Sequence, residues 1–104
     1  MKNYVYIYNN KGGQADMPMD EVLKAWNEWF GKLGDKLVDG GNPFNDGAKV
    51  VTKAGAKGSP SEPASGYSIV KAGSLDEAAE LAKGCPLLQH VPNGEVHVYE
   101  ALPM

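Results

Sequence analysis

The chain opens on a strict alternation, Tyr4-Val5-Tyr6-Ile7-Tyr8, built from aromatic and β-branched residues that favour an extended strand. Successive side chains of a strand point to opposite faces, so Val5 and Ile7 share one face and Tyr4, Tyr6 and Tyr8 share the other. The aliphatic pair is expected to pack on helices. The tyrosines have hydroxyls to satisfy and are expected on a partly wet face or an interface. After a loop rich in Gly and Asn, the period changes. Val22, Trp26, Trp29 or Phe30, Leu33 and Leu37 recur at helical spacing, with Leu23 widening the stripe. Pro18, Asp20 and Glu21 suit the first turn of that helix, and its end is expected near Gly34 or a turn later.

The next punctuation is Gly40-Gly41 and Asn42-Pro43. Ala48–Lys53 reads as a short strand, and residues 55–66, rich in Gly, Pro and Ser, as a flexible connection. Gly66–Ala72 is the next strand. Ser74 followed three positions later by Glu77 is a capping box opening a short helix to about Lys83. Gly84 closes it, Cys85-Pro86-Leu87-Leu88 makes a turn with buried side chains, and Gly94–Leu102 is the last strand, with His97 and Tyr99 on one face. Strand, helix, two strands, helix, strand is the split βαβ order of a ferredoxin-like α+β domain spanning residues 1–104. Its four-stranded antiparallel sheet would carry both helices on one face. The other face, with the strand-one tyrosines, Tyr67, His97 and Tyr99, is expected to be covered by a second copy of the chain.

Composition narrows the function classes. The chain has 104 residues and a formal net charge of -3, and its ten basic residues are all lysine. Arginine is the usual bidentate reader of phosphates and base edges, so its absence weighs against a nucleic-acid partner. A single cysteine, Cys85, rules out an intrachain disulfide and a multi-thiolate zinc site, and fits a cytoplasmic setting. The amino terminus lacks the continuous apolar stretch of a signal peptide, and no run reaches the length of a membrane span. No cofactor motif is present. Neither Gly12-Gly13 nor the Gly55 and Gly58 region has the ending or spacing of a phosphate loop.

The tyrosine-rich first strand, the helix end K-L-V-D-G-G, the strand G-Y-S-I-V-K-A, the helix S-L-D-E-A-A-E-L-A-K-G-C-P and the strand G-E-V-H-V-Y-E-A-L-P together resemble the YCII-related family. The resemblance is nearest to its branch of small bacterial DGPF-domain proteins. It covers essentially the whole chain and is strongest from Gly66 to Leu102. It implies a ferredoxin-like protomer in a dimer of the α+β-barrel type. Most of that family has no established reaction. A few relatives act on small aromatic or lactone-like compounds through a His–Asp pair, and others occur beside sigma factors. This chain departs from the pattern in three places. Trp26 stands where many relatives have histidine, Cys85-Pro86 replaces an Asp-Pro pair, and the D-G-P-F signature is reduced to Gly41-Asn42-Pro43-Phe44.

Candidate chemistry rests on few groups. His97 is a candidate general base with Glu95 or Asp39 as orienting carboxylate, and Tyr99 is its candidate partner for polarising an oxygen. Tyr4, Tyr6, Tyr67 and His90 are candidate ligand-binding residues, with Tyr6, His97 and Tyr99 lining one cleft. The alternatives are interface packing for His97 and the tyrosines, a surface role for His90 and a core role for Trp26, Trp29 and Cys85. His90 and His97, with Asp39 or Glu100, lack the local spacing of a metal motif, so no metal is assigned. The expected function is homodimeric binding of a small aromatic or carbonyl-bearing molecule. The alternatives are cofactor-free proton transfer or elimination, and a non-enzymatic regulatory or accessory role.

Overall fold

The computed structural model describes residues 1–104. In chain order it contains β1 (Lys2–Asn9), α1 (Met19–Leu33), β2 (Leu37–Asp39), β3 (Val50–Thr52), β4 (Gly55–Lys57), β5 (Gly66–Ala72), α2 (Leu75–Ala82), α3 (Pro86–His90) and β6 (Glu95–Ala101). Four strands form one antiparallel sheet in the order β2-β5-β1-β6, and α1 and α2 pack on one of its faces. The arrangement is compatible with a ferredoxin-like fold. Local signals set the helix ends. Pro18 precedes α1, Gly34 closes it at φ 53°, and the Ser74 hydroxyl accepts from the Glu77 N–H at 3.1 Å to cap α2.

The strand-one tyrosines occupy the opposite face from the one their polarity implied. Tyr4, Tyr6 and Tyr8 are buried beneath the helices, whereas Val5 and Ile7 lie half-buried on the open face. Antiparallel partners share a face. Tyr4, Tyr6 and Tyr8 lie opposite Val70, Ser68 and Gly66 on β5, and α2 contributes only Ala78 and Ala82 to the core. Small side chains on β5 and α2 leave a gap that needs rings to fill it. Burying each such large side chain stabilises the fold by roughly 1.5–3 kcal/mol. The hydroxyls find partners inside. Tyr6 donates to the Ala78 carbonyl at 2.6 Å, Tyr8 to Ser68 Oγ at 2.8 Å, and the Ser68 hydroxyl donates to the Gly40 carbonyl at 2.7 Å. Trp29 stacks on Tyr6 at 6.1 Å between ring centroids, and Trp26 meets the Tyr8 ring edge-on at 5.0 Å.

The middle of the chain differs too. The fourth sheet strand is Leu37–Asp39, not Ala48–Lys53. It is three residues long with a register shift, too short to show an alternating pattern. Val50–Thr52, within the expected strand, pairs instead in a separate hairpin with Gly55–Lys57, which lies in the stretch expected to be a flexible connection. The Thr52 hydroxyl closes that hairpin locally, donating to the Gly55 carbonyl and accepting from the Ala54 N–H. The arm stands away from the core, with residues 51–63 all exposed. It is rooted at Gly41, where φ is 71° and a Cβ would lie 1.8 Å from the Tyr67 carbonyl oxygen. The turn Cys85–Leu88 is the start of α3, with Cys85, Pro86 and Leu87 buried and Leu88 exposed.

Removing the Tyr6 hydroxyl (Tyr6→Phe) should cost about 1–2 kcal/mol in urea unfolding, the scale of one buried hydrogen bond. Gly41→Ala should cost more, because it meets both a positive φ and backbone overlap. Burial pushes the Tyr6 hydroxyl up to about 12, raises that of Tyr8, and pushes the Cys85 thiol up to about 12. All three are held protonated by the fold. Stability is therefore full below the unfolded-chain values of about 8.5 for Cys and 10 for Tyr, and declines as pH rises past them. Thermal melts from pH 7 to 11 should show a flat region followed by that decline.

Candidate functional site

Two regions carry the chemistry-bearing residues, one on each side of the sheet. On the helix side, an open cleft of about 750 Å³ runs between α1, the loop after β1, α3 and the root of the arm. Helix α1 creates it by carrying more apolar surface than the core uses. Trp29 and Leu33 are buried against the sheet, while Val22, Trp26 and Phe30 line the cleft and Met19 and Leu23 stand exposed at its lip. Tyr8 and Tyr67 close the sheet end, and Asn10, Gln14, Asn27, Asn42 and Ser65 supply polar groups. The volume falls within the usual range for small-molecule sites.

His90 stands at the edge of this cleft. Its Nδ1 lies 3.1 Å from Asp16 Oδ1, and its carbonyl accepts the Asp16 N–H at 2.9 Å. This two-point clamp ties the end of α3 to the loop before α1. With Nδ1–H donated to the carboxylate, Nε2 is the ring nitrogen left to accept a proton. A base oriented by a carboxylate beside an aromatic cleft is an arrangement able to move a proton on a bound molecule.

The open face of the sheet holds the other predicted residues. Cross-strand pairing sets Tyr67, Ile7 and His97 in one row and Ile69, Val5 and Tyr99 in the next. Phe44, at the root of the arm, stacks on Tyr67 at 5.8 Å. His97 Nε2 lies 2.8 Å from Glu95 Oε1, two residues away on the same strand. Lys11 joins Glu95 to Glu62, at 3.5 and 2.6 Å. The hydrogen bond from His97, and then the Lys11 ammonium, hold the Glu95 carboxyl below its usual range. Asp39 is turned to its own backbone, accepting the Gly41 N–H at 2.8 Å.

The structure thus divides the predicted site. Tyr6 lies across the sheet from His97 and Tyr99, so those three do not line one cleft. Tyr4 and Tyr6 are fully buried, and Tyr6 is further committed to the Ala78 carbonyl. Tyr67 and His90 reach the helix-side cleft. Trp26, read from sequence as core, together with Phe30, Tyr8 and Asp16, enters the site unannounced. The signal for the first two was the width of the α1 stripe, wider than a two-layer fold can bury. No sequence signal joined Asp16 to His90, which are 74 positions apart.

No family model, curated protein or solved structure matches this chain. No helix is long and apolar enough to cross a membrane. No group of three or more His, Cys, Asp or Glu side chains converges as a metal site would require.

Cys85 is fully buried, and burial raises its thiol to about 12. Ellman's reagent at pH 8 should therefore leave the native protein unlabelled and titrate one thiol after denaturation.

Proposed function

We propose that this chain binds a small aromatic or carbonyl-bearing molecule in the helix-side cleft. The observation that carries this reading is the juxtaposition of the Trp26 and Phe30 wall with His90, held by Asp16, in one concave surface. The reading keeps the ligand class that the sequence pointed to and moves its seat from the open sheet face to the opposite side. It is in keeping with the YCII-related resemblance, which also implies a ferredoxin-like domain with clefts beside its sheet, and the lone Cys85 supports cytoplasmic residence.

The same reading takes the working form as a homodimer of the α+β-barrel type. Its support is the open face, where Val5, Ile7, Ile69 and Tyr99 have no helix layer over them in the protomer. His97 and Tyr99 then belong to the interface between copies. A second reading is cofactor-free proton transfer, favoured by the His90–Asp16 clamp. In it His90 Nε2 takes a proton from a carbon beside the carbonyl of a bound ligand and returns it.

The neutral probe N-phenyl-1-naphthylamine should show saturable fluorescence enhancement with the native protein. Leu23→Glu, at an exposed position on the cleft lip, should weaken that binding about tenfold or more by setting a carboxylate against an apolar ligand. Binding that is unsaturable, or indifferent to Leu23→Glu, refutes the cleft. Light scattering after size exclusion should give two copies for the native chain and one for Ile7→Glu. A native monomer refutes the dimer.

A further inference from the structure

We infer that the cleft selects an uncharged planar ligand and discriminates against carboxylates, phosphates and ammonium compounds. The inference rests on the reading of this cleft as the binding site and specifies the charge of what enters it. Twenty-three residues line the cleft, and none of them is Lys, Arg, Asp or Glu. Its polar groups are amides and hydroxyls, which can donate to or accept from a neutral carbonyl, hydroxyl or amide without supplying a counter-charge.

The cations of the chain are placed elsewhere. Lys11 is held between Glu62 and Glu95 on the far side of the loop. Lys24 and Lys32 are absent from the cleft lining and line an adjoining groove on the other flank of α1, which meets the cleft at Met17, Pro86 and His90. An anion entering the cleft would shed its hydration with no cation to replace it, which is costly in a partly apolar site. The fixed charges at the rim add to this. Asp16 flanks the cleft beside His90, Asp39 lies next to the cleft residues Gly40 and Gly41, and the chain as a whole carries -3. His90 is the only basic side chain on the lining, and its Nδ1 is already committed to the Asp16 carboxylate.

The same lining argues against a cationic ligand. The ring faces of Trp26 and Phe30 attract cations. Yet no carboxylate lies on the lining, and Asp16 is engaged by His90. An ammonium group would lose its water for ring faces alone. Stacking between rings, with hydrogen bonds from the Asn27 and Asn42 amides at the rim, meets the needs of a neutral planar molecule completely.

The test uses one ring and three charges. Benzamide, benzoate and benzylamine are titrated into the full-length protein at pH 8. The readout is the indole N–H resonance of Trp26, with that of Trp29, buried away from this cleft, as the internal control. Benzamide should shift the Trp26 signal saturably, and the other two should bind about tenfold more weakly or worse. Asn27→Lys, which sets an ammonium at an exposed lining position, should raise the affinity for benzoate about tenfold relative to that for benzamide. Benzoate binding the native protein as well as benzamide overturns the inference in favour of an anionic ligand. Benzylamine doing so overturns it in favour of a cationic one. In either case the cleft stands as a ligand site. If none of the three moves Trp26, both this inference and the reading of the cleft as a binding site fail.

Discussion

The column of three tyrosine rings on β1, set between the sheet and its helices, is the contact on which the rest of the molecule depends. It is a volume match. The neighbouring strand β5 turns Gly66, Ser68, Val70 and Ala72 to the same side, and α2 turns Ala78 and Ala82. Small residues on two elements leave a space that only large side chains from a third can fill, and interiors tolerate no such space unfilled. The rings bring hydroxyls into that space, and two of them have acceptors there, Tyr6 on a helix carbonyl and Tyr8 on Ser68. A phenol that is bonded at its tip is as acceptable inside as a phenylalanine, and it pins the helix to the strand as well.

Two further features follow from that placement. Turning the tyrosines inward turns Val5 and Ile7 outward, so the open face of the sheet is largely aliphatic at its centre, with Tyr67, His97 and Tyr99 around it. It also sets the rings of Tyr6 and Tyr8 against Trp29 and Trp26, so α1 is held mainly along one flank of its apolar stripe. The other flank remains uncovered and becomes a wall of the cleft. The cleft begins at the end of the tyrosine column, where Tyr8 and Trp26 meet, and continues along Val22 and Phe30. The Asp16–His90 clamp and the glycine-rooted turn at Gly41 hold its other walls, one by two hydrogen bonds and the other by a backbone conformation closed to side chains.

Much of the fold was legible along the chain, because it is written in local patterns. The alternation of residues 4–8, the helical spacing from Val22 to Leu33, the Ser74 capping box and the closing Gly34 each act within a few residues. Each yields the element expected. The misplaced strand among residues 37–57 shows the limit of that reasoning. Val50–Thr52 has strand-like composition and is a strand, but a four-residue turn pairs it locally with Gly55–Lys57 before the main sheet recruits it. Leu37–Asp39, poorer in pattern, takes the sheet edge through its placement beside β5.

By itself the sequence determined the identity and approximate bounds of the two long helices and the three long strands, since propensity, periodicity and capping are near-neighbour physics. It also determined which charges the chain has available: no arginine and a single thiol. Tertiary structure decided which face of β1 is inside, because period-two alternation defines two faces and says nothing of which one meets a helix. That choice depended on the side-chain volumes of β5 and α2, 60 and more positions away. It decided, too, that His90 keeps company with Asp16 and His97 with Glu95, on opposite sides of the sheet. Pairings of that kind are set by where elements pack, and packing is a property of the whole chain.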